Sequence, residues 1–488
     1  MIARIFAAFL SLALATQSVA QGLPDLGDIS SAALSESQER TIGNRIMRDV
    51  RSDPAFVDDP EVADYIASLG TRLMAGADQP RRDVTYFVLQ EDSINAFALV
   101  GGHIGIHTGL FTLSQNESEL AGVMAHEIAH VLQKHLARAI AGQNRASWAS
   151  LAALAVAILA ARSNSSSSGQ MTEAAATAAT AIQIQSHLDY TREHEREADR
   201  VGLTLLERAG FDPNGMAAFF ERLMRANRLN EFKGAPSYLR THPLTTERIA
   251  DMQDRTPQAV FRTGRADSFE YRLMRARLRA FAGSPSEALR YFRSELADKT
   301  VVRPREDIFG LALAQRRVRD FEAAWSTLAP LRQGVESHPA YERLAAQLLA
   351  DRGRGDEALE TYRKGLKAFP ESRALAHGYL DLLLDKGRPR EVLADLDERL
   401  RKVTDDPKLY ELQARAFEAT DKPLGQHRAQ AEALFRRGNL GAAVQQLDWA
   451  VRLKGNDYYE QSSAEARLRE LRVLLENERA AEKALKIS

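Results

Sequence analysis

The segment MAHEIAHVLQKHLAR (residues 124–138) carries two histidines and a glutamate at a spacing that could hold a catalytic metal ion. In a helix, residues four positions apart lie on one face, so His126 and His130 can both present an imidazole nitrogen to one cation. Glu127 is turned by about 100° from His126, which lets its carboxylate hold and deprotonate a water molecule without binding the metal. This arrangement is typical of zinc-assisted hydrolysis of a peptide bond.

The residues around the two histidines favour a metal site over a surface helix that carries them by chance. The sequence LAGVMAHEIAHVL is apolar on the side of the motif. We therefore expect the histidines to point inward, where a pair without partners would be costly to bury.

A zinc site needs a third protein ligand, and the best candidates lie in REHEREADRVG (residues 192–202). If this segment is helical, Glu195 and Asp199 again share one face. We assign Glu195 as the third ligand and Asp199 as a carboxylate that orients a ligand histidine. His194 and Glu197 remain rival ligands. The alternative explanation is a solvated helix surface whose arginines and glutamates pair with one another.

Composition limits where such a metal can be held. The chain has 488 residues, too many for one hydrophobic core, so two or three domains are expected. It contains no cysteine, which excludes disulfides, a cysteine nucleophile and a thiolate zinc site. Any metal must be held by His, Asp or Glu. The formal net charge is -1 and no basic patch stands out, so no nucleic-acid partner is predicted.

The N-terminus has the pattern of an export signal. Arg4 is followed by an apolar run from Ile5 to Ala15 and by the small residues Ser18 and Ala20. We predict a signal peptide over residues 1–20 and, with the cysteine-free composition, a periplasmic location. A membrane anchor is the weaker alternative, because the run is shorter than the roughly 20 residues that cross a bilayer.

Hydrophobic periodicity predicts the elements around the motif. Two helices are expected over residues 35–77, a strand over 83–90, and two short strands over 94–110 joined by Gly101 and Gly102. A helix over about 117–141 then carries the motif. The fold class predicted is mainly α (α+β), with a small β-sheet in a metallopeptidase domain over residues 21–258.

An insert at residues 146–184 interrupts this domain. Residues 146–161 carry no charge, and a serine-rich and then an alanine-rich stretch follow. Sixteen residues are short for a membrane span. Two helices joined by a flexible loop are predicted, either as a lid or partner-binding surface or as a helical hairpin buried in the fold.

From residue 267 to 488 the chain changes to short helices with a repeated pattern. Small or apolar anchors recur every 34 to 36 residues at Ala288, Ala324, Ala358 and Val392, each with an apolar residue four positions later. This is the tetratricopeptide period, and a generic helical bundle would not be expected to keep it. Such repeats form a curved solenoid whose concave face binds extended protein segments.

Other histidines are not assigned to the metal. His103 and His107 would share one face of a strand, but nothing beside them supplies a base, so no second metal site is predicted. His135 is expected to face solvent. The three histidines of the repeats are expected to pack or to face water: His338, His377 and His427.

Together, HEIAH and, after 64 intervening residues, EREAD resemble the HtpX-like, CAAX-prenyl-protease-type family of zinc metallopeptidases. The resemblance implies a gluzincin-type domain that binds one zinc ion per subunit, with Glu195 as the third ligand. It implies that NAFALVGGHIGIHTGLF forms the edge of the cleft that pairs with substrate. His242, in LRTHPLTTERI, matches a position that can occupy the fourth zinc site and keep the enzyme latent, and Arg248 follows at the matching spacing. The insert departs from the family, since members differ there.

The resemblance implies a periplasmic zinc metalloendopeptidase with chaperone-like activity in the quality control or assembly of outer-membrane proteins. Its substrates would be unfolded or misassembled outer-membrane proteins, and its partner the outer-membrane β-barrel assembly machinery. Glu127 would take the proton of the attacking water and deliver it to the leaving amine. One alternative is a proteolytically silent chaperone or scaffold that binds clients through its repeats. Another is a membrane peptidase anchored by residues 146–161, and a peripheral membrane contact of the insert is also considered.

Overall fold

A computed structural model describes residues 36–78, 83–141, 192–228, 237–256, 266–297, 304–334, 337–453 and 458–487. The predicted signal peptide and the insert at 146–184 lie outside the described residues. Within them the chain is mainly helical with one three-stranded sheet, which confirms the predicted fold class.

The N-terminal half holds the sheet and the helices around it. Its helices are α1 (Glu36–Ser52), α2 (Pro60–Met74), α3 (Thr108–Leu113), α4 (Glu117–Leu132), α5 (His135–Ala141), α6 (Arg192–Arg208), α7 (Asn214–Arg228), α8 (Ser237–Thr241) and α9 (Thr246–Arg255). Its strands are β1 (Thr85–Leu89), β2 (Ala96–Leu99) and β3 (His103–His107).

The sheet has the order β1-β3-β2. β1 pairs with β3 in parallel, and β2 pairs with β3 antiparallel. The turn between β2 and β3 is made by Gly101 and Gly102, whose φ angles of 84° and 79° suit glycine and explain why the sequence places two there. Among the described strands, β2 pairs on one side only, and it packs against α4, the helix of the HEIAH motif.

Helix α4 carries the HEIAH motif through the centre of the core. Asn116 caps its first turn by accepting a hydrogen bond from the Glu119 amide at 3.0 Å. Every residue from Glu117 to His130 is buried, which explains why the helix is apolar on nearly all sides. The predicted helix over 117–141 is broken after Leu132, because Lys134 adopts a left-handed φ of 51° before α5 begins.

The C-terminal half is a succession of helices in pairs. They are α10 (Phe269–Phe281), α11 (Pro285–Glu295), α12 (Arg305–Arg317), α13 (Phe321–Gln333), α14 (Pro339–Asp351), α15 (Gly355–Ala368), α16 (Arg373–Asp385), α17 (Pro389–Lys402), α18 (Pro407–Glu418), α19 (Pro423–Arg436), α20 (Leu440–Arg452) and α21 (Tyr458–Ile487). The four predicted anchors lie on the second helix of successive pairs, and each is at most 3% exposed. The residues four positions later are buried as well: Phe292, Leu328, Tyr362 and Leu396. The repeating pattern thus marks the packing positions between helices.

One hydrophobic core joins the two halves of the chain. It runs without a break from Val62 in α2 to Leu348 in α14. At the junction the helices cap each other: the Glu117 amide donates to Asp267 Oδ1 at 2.7 Å, and the Ser268 amide and hydroxyl donate to the Glu117 carboxylate at 3.0 and 2.8 Å. The helix that carries the metal motif is therefore fixed directly to the first helix of the repeats.

The first described helix also contacts the far end of the solenoid. Arg48 donates to the Gly438 carbonyl at 3.0 Å and pairs with Glu478 at 2.9 Å, while Arg51 donates to the Arg437 carbonyl at 2.6 Å. The repeats consequently curve around the N-terminal half. No helix among the described residues has the length and apolar character needed to cross a membrane.

Candidate metal centre

The predicted site residues come together in the buried interior of the N-terminal half. Helix α4 supplies two histidines and a glutamate, α6 supplies two carboxylates, the segment after α8 supplies a histidine, and α9 supplies an arginine. None of the seven is more than 4% exposed: His126, Glu127, His130, Glu195, Asp199, His242 and Arg248. Because such polar groups are costly to bury alone, each must be compensated by the others or by a bound cation.

Three of these side chains converge on one point. The Nε2 atoms of His126 and His130 lie 3.0 Å apart. Glu195 Oε2 lies 3.5 Å from His126 Nε2, and Glu195 Oε1 lies 3.6 Å from His130 Nε2. Ligands of a tetrahedral zinc ion are separated by about 3.3 Å, so these spacings fit. Two imidazole nitrogens whose lone pairs face each other at 3.0 Å repel unless a cation or a proton lies between them. Two histidine nitrogens and a glutamate carboxylate are therefore a set of ligands that suits zinc.

A close approach of two helices makes this convergence possible. Gly202 of α6 lies against α4, and a Cβ atom at this position would stand 3.1 Å from the His126 amide nitrogen and 3.2 Å from the Ala125 carbonyl carbon. Any larger side chain would push α6 outward. The glycine thus brings Glu195, two helical turns earlier, within reach of the histidines.

Asp199 orients His126 from the side away from the convergence point. Its Oδ1 lies 3.0 Å from His126 Nδ1, so the imidazole carries a proton on Nδ1 and turns Nε2 towards the convergence point. Burial disfavours the charged imidazole, but the hydrogen bonds to Asp199 and Glu195 outweigh this effect and raise the pKa of His126 to about 9. Without a metal, a proton takes the place of the cation.

Arg248 holds both carboxylates of α6. Its Nε and Nη2 atoms each donate to Asp199 at 2.8 Å, and Nη1 lies 2.8 Å from Glu195 Oε2. Nη1 also donates to the Pro243 carbonyl at 2.8 Å. The guanidinium therefore links the third predicted ligand, its neighbouring carboxylate and the segment that follows His242.

Glu127 lies beside the convergence point and is completely buried. Burial raises the pKa of its carboxyl, against the opposing effects of the His242 and His126 charges and of the backbone amide of Ala98 in β2. A carboxylate with a raised pKa is a better proton acceptor near neutral pH than an ordinary surface glutamate. The contact with Ala98 also places the edge of β2 next to this group.

His242 occupies the remaining side of the centre. Its Nδ1 lies 3.1 Å from Glu195 Oε1 and its Nε2 lies 3.5 Å from Glu127 Oε1. The ring stacks on Tyr238 with centroids 4.7 Å apart, and the Tyr238 amide donates to the Ile94 carbonyl at 3.2 Å. His242 joins the group of His126, His130 and Glu195 whose ligand atoms all lie within 4.8 Å of one another.

The expectation that His135 faces solvent is wrong. Its side chain is fully buried, with Nδ1 2.8 Å from His130 Nδ1 and Nε2 3.1 Å from Glu197 Oε2. The left-handed residue Lys134 turns the chain back so that His135 reaches the far side of the His130 ring. The rival ligands lie here as well, since the ring of His194 stacks on His135 with centroids 4.5 Å apart. Neither His194 nor Glu197 belongs to the group around His126.

His135 and Tyr238 are the residues near the centre that sequence reasoning missed. A continuous helix would have turned His135 away from His130, and only a break in the periodicity after Leu132 could have signalled otherwise. His103 and His107 lie apart from the group. His103 contacts Thr85 of β1, and His107 contacts Ser93 between β1 and β2. Burial, with the charge of Arg51 adding to it, lowers the pKa of His103 to about 4.

The fold and the centre together define a class of enzyme. Residues 60–256 match the profile of peptidase family M48, and residues 307–480 match that of the tetratricopeptide repeat. The chain belongs to peptidase family M48, a family of zinc-dependent metallopeptidases, and carries C-terminal tetratricopeptide repeats. The resemblance found in HEIAH and EREAD is thereby confirmed.

Two relatives match this chain over nearly its whole length. The chain is 32% identical to the β-barrel assembly-enhancing protease of Escherichia coli (strain K12) over 94% of this chain and 92% of that protein. It is 30% identical to the protein of the same name from Yersinia pestis, over 95% and 94% of the two chains. The mitochondrial metalloendopeptidase OMA1 of Schizosaccharomyces pombe is 27% identical over 42% of this chain and 56% of its own.

Proposed function

We propose that this metallopeptidase works in the periplasm as an endopeptidase, with chaperone-like activity, in the quality control or assembly of outer-membrane proteins. The observation that carries the proposal is the convergence of His126, His130 and Glu195 beside the buried carboxylate of Glu127. The names of the full-length relatives support a role in β-barrel assembly. The predicted signal peptide and the lack of cysteine support the location.

In the proposed site, His126, His130 and Glu195 hold one zinc ion, which when bound polarises a carbonyl group and makes a water molecule more acidic. The Glu127 carboxylate takes the proton of the attacking water and passes it to the leaving amine. Asp199 keeps the proton of His126 on Nδ1. Arg248 keeps the carboxylates of Glu195 and Asp199 in place.

An extended substrate segment is proposed to lie along β2. This strand runs next to Glu127 at Ala98, and among the described strands its outer edge has no partner. Backbone pairing holds a peptide by groups that every residue has, so recognition would depend on an unfolded segment rather than on one sequence. An unfolded or misassembled outer-membrane protein offers such segments.

His242 is proposed to keep the enzyme latent. Its ring lies against both Glu195 and Glu127, where the attacking water and the scissile carbonyl have to enter. Cleavage then requires the segment from α8 to Pro243 to move. Its movement has to break the contacts of the buried Tyr238 ring with Phe220 and His242 and the hydrogen bonds of Tyr238 to Ile94 and of Arg248 to Pro243.

The proposal also assigns a role to each domain of the chain. Residues 1–20 form the signal peptide, 21–258 the metallopeptidase domain with the insert at 146–184, and 267–488 the repeat domain. The repeats select clients or dock the outer-membrane β-barrel assembly machinery, as solenoid surfaces bind extended protein segments. The insert, which lies outside the described residues, is proposed as a lid or partner-binding segment, with a peripheral membrane contact as one alternative.

The Glu127→Gln variant tests the peptidase mechanism against the alternative of a silent chaperone. The amide keeps the shape of the side chain but does not accept the proton, so we expect cleavage of an unfolded outer-membrane barrel protein to fall by about 100-fold or more. Zinc content should stay at one ion per chain, and Glu207→Gln on the surface of α6 serves as the control. A chain that lacks zinc, or a variant with full activity, would contradict the proposal.

A further inference from the structure

A line of hydrogen-bonding groups continues outward from the metal centre behind His130. His130 Nδ1 lies 2.8 Å from His135 Nδ1, and His135 Nε2 lies 3.1 Å from Glu197 Oε2. Arg138 Nη1 lies 3.1 Å from the same Glu197 oxygen. His135 is fully buried, whereas the Glu197 side chain is 36% exposed, so the line leads from the interior to the surface.

The direction of each hydrogen bond follows from the ligand at its inner end. A ligand imidazole presents a lone pair on Nε2, so His130 carries its proton on Nδ1. His135 Nδ1 must then accept, because two N–H groups cannot bond to each other. The proton of His135 is therefore on Nε2, where it faces the Glu197 carboxylate. Every donor in the line has an acceptor.

We propose that His135 is a positioning residue that fixes the tautomer and the orientation of His130, and that Glu197 fixes the tautomer of His135. This inference rests on the proposed role of His130 as a zinc ligand. Partners of this kind, behind a ligand histidine, contribute to metal affinity as well as to activity. His126 has a carboxylate in the same position, Asp199, so the two ligand histidines are oriented by different groups.

The packing around His135 supports this role. The ring of His194 stacks on it at 4.5 Å with an angle of 17° between the planes, and this contact holds the His135 ring in the plane that both hydrogen bonds need. Arg138 neutralises the charge of Glu197 from the solvent side.

The proposal is tested by measuring the zinc affinity of the purified full-length chain in competition with a chromogenic chelator. In His135→Leu the side chain fills similar space but accepts no hydrogen bond, and we expect about 10- to 100-fold weaker zinc binding. In His135→Asn an amide oxygen stands near the position of Nδ1, and affinity should stay within about threefold of wild type. Thermal unfolding of the metal-free variants verifies that each chain folds.

Two substitutions of Glu197 separate tautomer control from charge. Glu197→Gln keeps an acceptor for His135 Nε2–H and should leave zinc affinity nearly unchanged. Glu197→Lys offers donors only, which forces the proton of His135 onto Nδ1 against that of His130, so we expect about tenfold weaker binding. Glu193→Lys makes the same change of charge at an exposed position of α6 and should bind zinc as wild type does.

The outcomes distinguish this inference from the proposed function. If wild type binds one zinc ion and both His135→Leu and Glu197→Lys bind it equally well, the positioning role is wrong and the peptidase mechanism stands. If His135→Asn loses as much affinity as His135→Leu, an acceptor facing His130 Nδ1 does not support zinc binding and the proposal is overturned. A wild-type chain that binds no zinc would overturn the proposed function and this inference together.

Discussion

In the proposed zinc site, a proton and a zinc ion compete for the same nitrogen of a histidine. In the metal-free chain the pKa of His126 is raised to about 9, because Asp199 and Glu195 outweigh the effect of burial. Protonation therefore stabilises the metal-free fold fully below the ordinary histidine pKa of 6.5, and this contribution is lost as the pH rises through about 9. The zinc-bound form has no such dependence, since its histidines are already neutral.

Zinc affinity is accordingly predicted to rise with pH. Between pH 6.5 and 8.5 we expect the apparent affinity to increase by about tenfold per pH unit for each proton displaced. Over the same range the unfolding temperature of the metal-free chain should fall. Competition titrations and thermal unfolding at matched ionic strength measure the two quantities. An affinity that is flat across this range would contradict the assignment of a shared proton at His126.

Substitution of His242 tests whether this residue keeps the enzyme latent. Its removal clears the approach to Glu127 and Glu195, so His242→Ala is predicted to cleave an unfolded outer-membrane client about tenfold faster or more. The zinc content should remain unchanged, because three ligands are left. His427→Ala, in the repeats, is the matched control and should cleave at the wild-type rate. Unchanged or slower cleavage in His242→Ala would argue against a latent enzyme.

Among the elements, the contact between α4 and α6 decides whether the third ligand reaches the histidines. In Gly202→Ala the added Cβ would lie 3.0 Å from Met216 Cε and 3.1 Å from the His126 amide nitrogen. Overpacking of this kind costs about 1–3 kcal/mol of unfolding free energy, and the outward shift of α6 should also weaken zinc binding. Denaturant unfolding and chelator competition measure the two effects.

Gly441→Ala is the control for this helix contact. Gly441 lies in α20, and nothing stands within 4 Å of a Cβ atom built there. Because alanine is the better helix former, this substitution is expected to leave stability unchanged or raise it by a few tenths of a kcal/mol, about what helix propensity gives near a helix end. Equal stability and zinc affinity in both variants would show that the helices can separate without cost.

At the scale of the whole molecule, an ion-pair network joins the N-terminal half to the repeats. Asp59 Oδ2 lies 2.5 Å from Arg277 in α10 and 3.4 Å from Arg343 in α14. Burial alone would raise the pKa of Asp59, but the two arginines outweigh it and lower the pKa to about 2. The charged carboxylate therefore stabilises the fold above its ordinary pKa of 3.8, and this contribution is lost as the pH falls towards 2.

Substitution of Asp59 is predicted to weaken the junction. Asp59→Asn keeps the cap on the first turn of α2 but removes the charge, and it should cost about 2 kcal/mol of unfolding free energy at pH 7. The difference from wild type should shrink as the pH is lowered from 4 to 2. Asp356→Asn, whose side chain is 84% exposed beside Lys386, should change stability by less than about 0.5 kcal/mol. Equal effects of the two substitutions would contradict a buried network.

The curvature of the repeats has a functional consequence at the same scale. Because one core continues from α2 into α14, and α1 contacts α21, a client bound by the repeats as proposed would lie next to the half that contains the metal centre. The reciprocal caps at Glu117 and Ser268 connect the helix of the ligand histidines to the first repeat. The repeats that are proposed to bind a client and the helix that carries His126 and His130 are therefore in direct contact.

The sequence alone was sufficient for the features that depend on local spacing. His126 and His130 lie together because residues four apart share a helix face, and the anchors from Ala288 to Val392 are buried because their period follows from stacked helix pairs. Gly101 and Gly102 likewise mark a turn whose φ angles favour glycine.

Only the tertiary structure decided which groups meet across elements. Glu195, rather than His194 or Glu197, lies beside His126 and His130 because of how α6 is rotated against α4, since one residue along a helix turns a side chain by about 100°. The burial of His135 depends on the left-handed backbone conformation of Lys134, and lysine is not a residue type that predicts this conformation. The continuous core around residue 267 depends on contacts between segments 150 or more residues apart, such as Glu117 with Ser268, which no local pattern encodes.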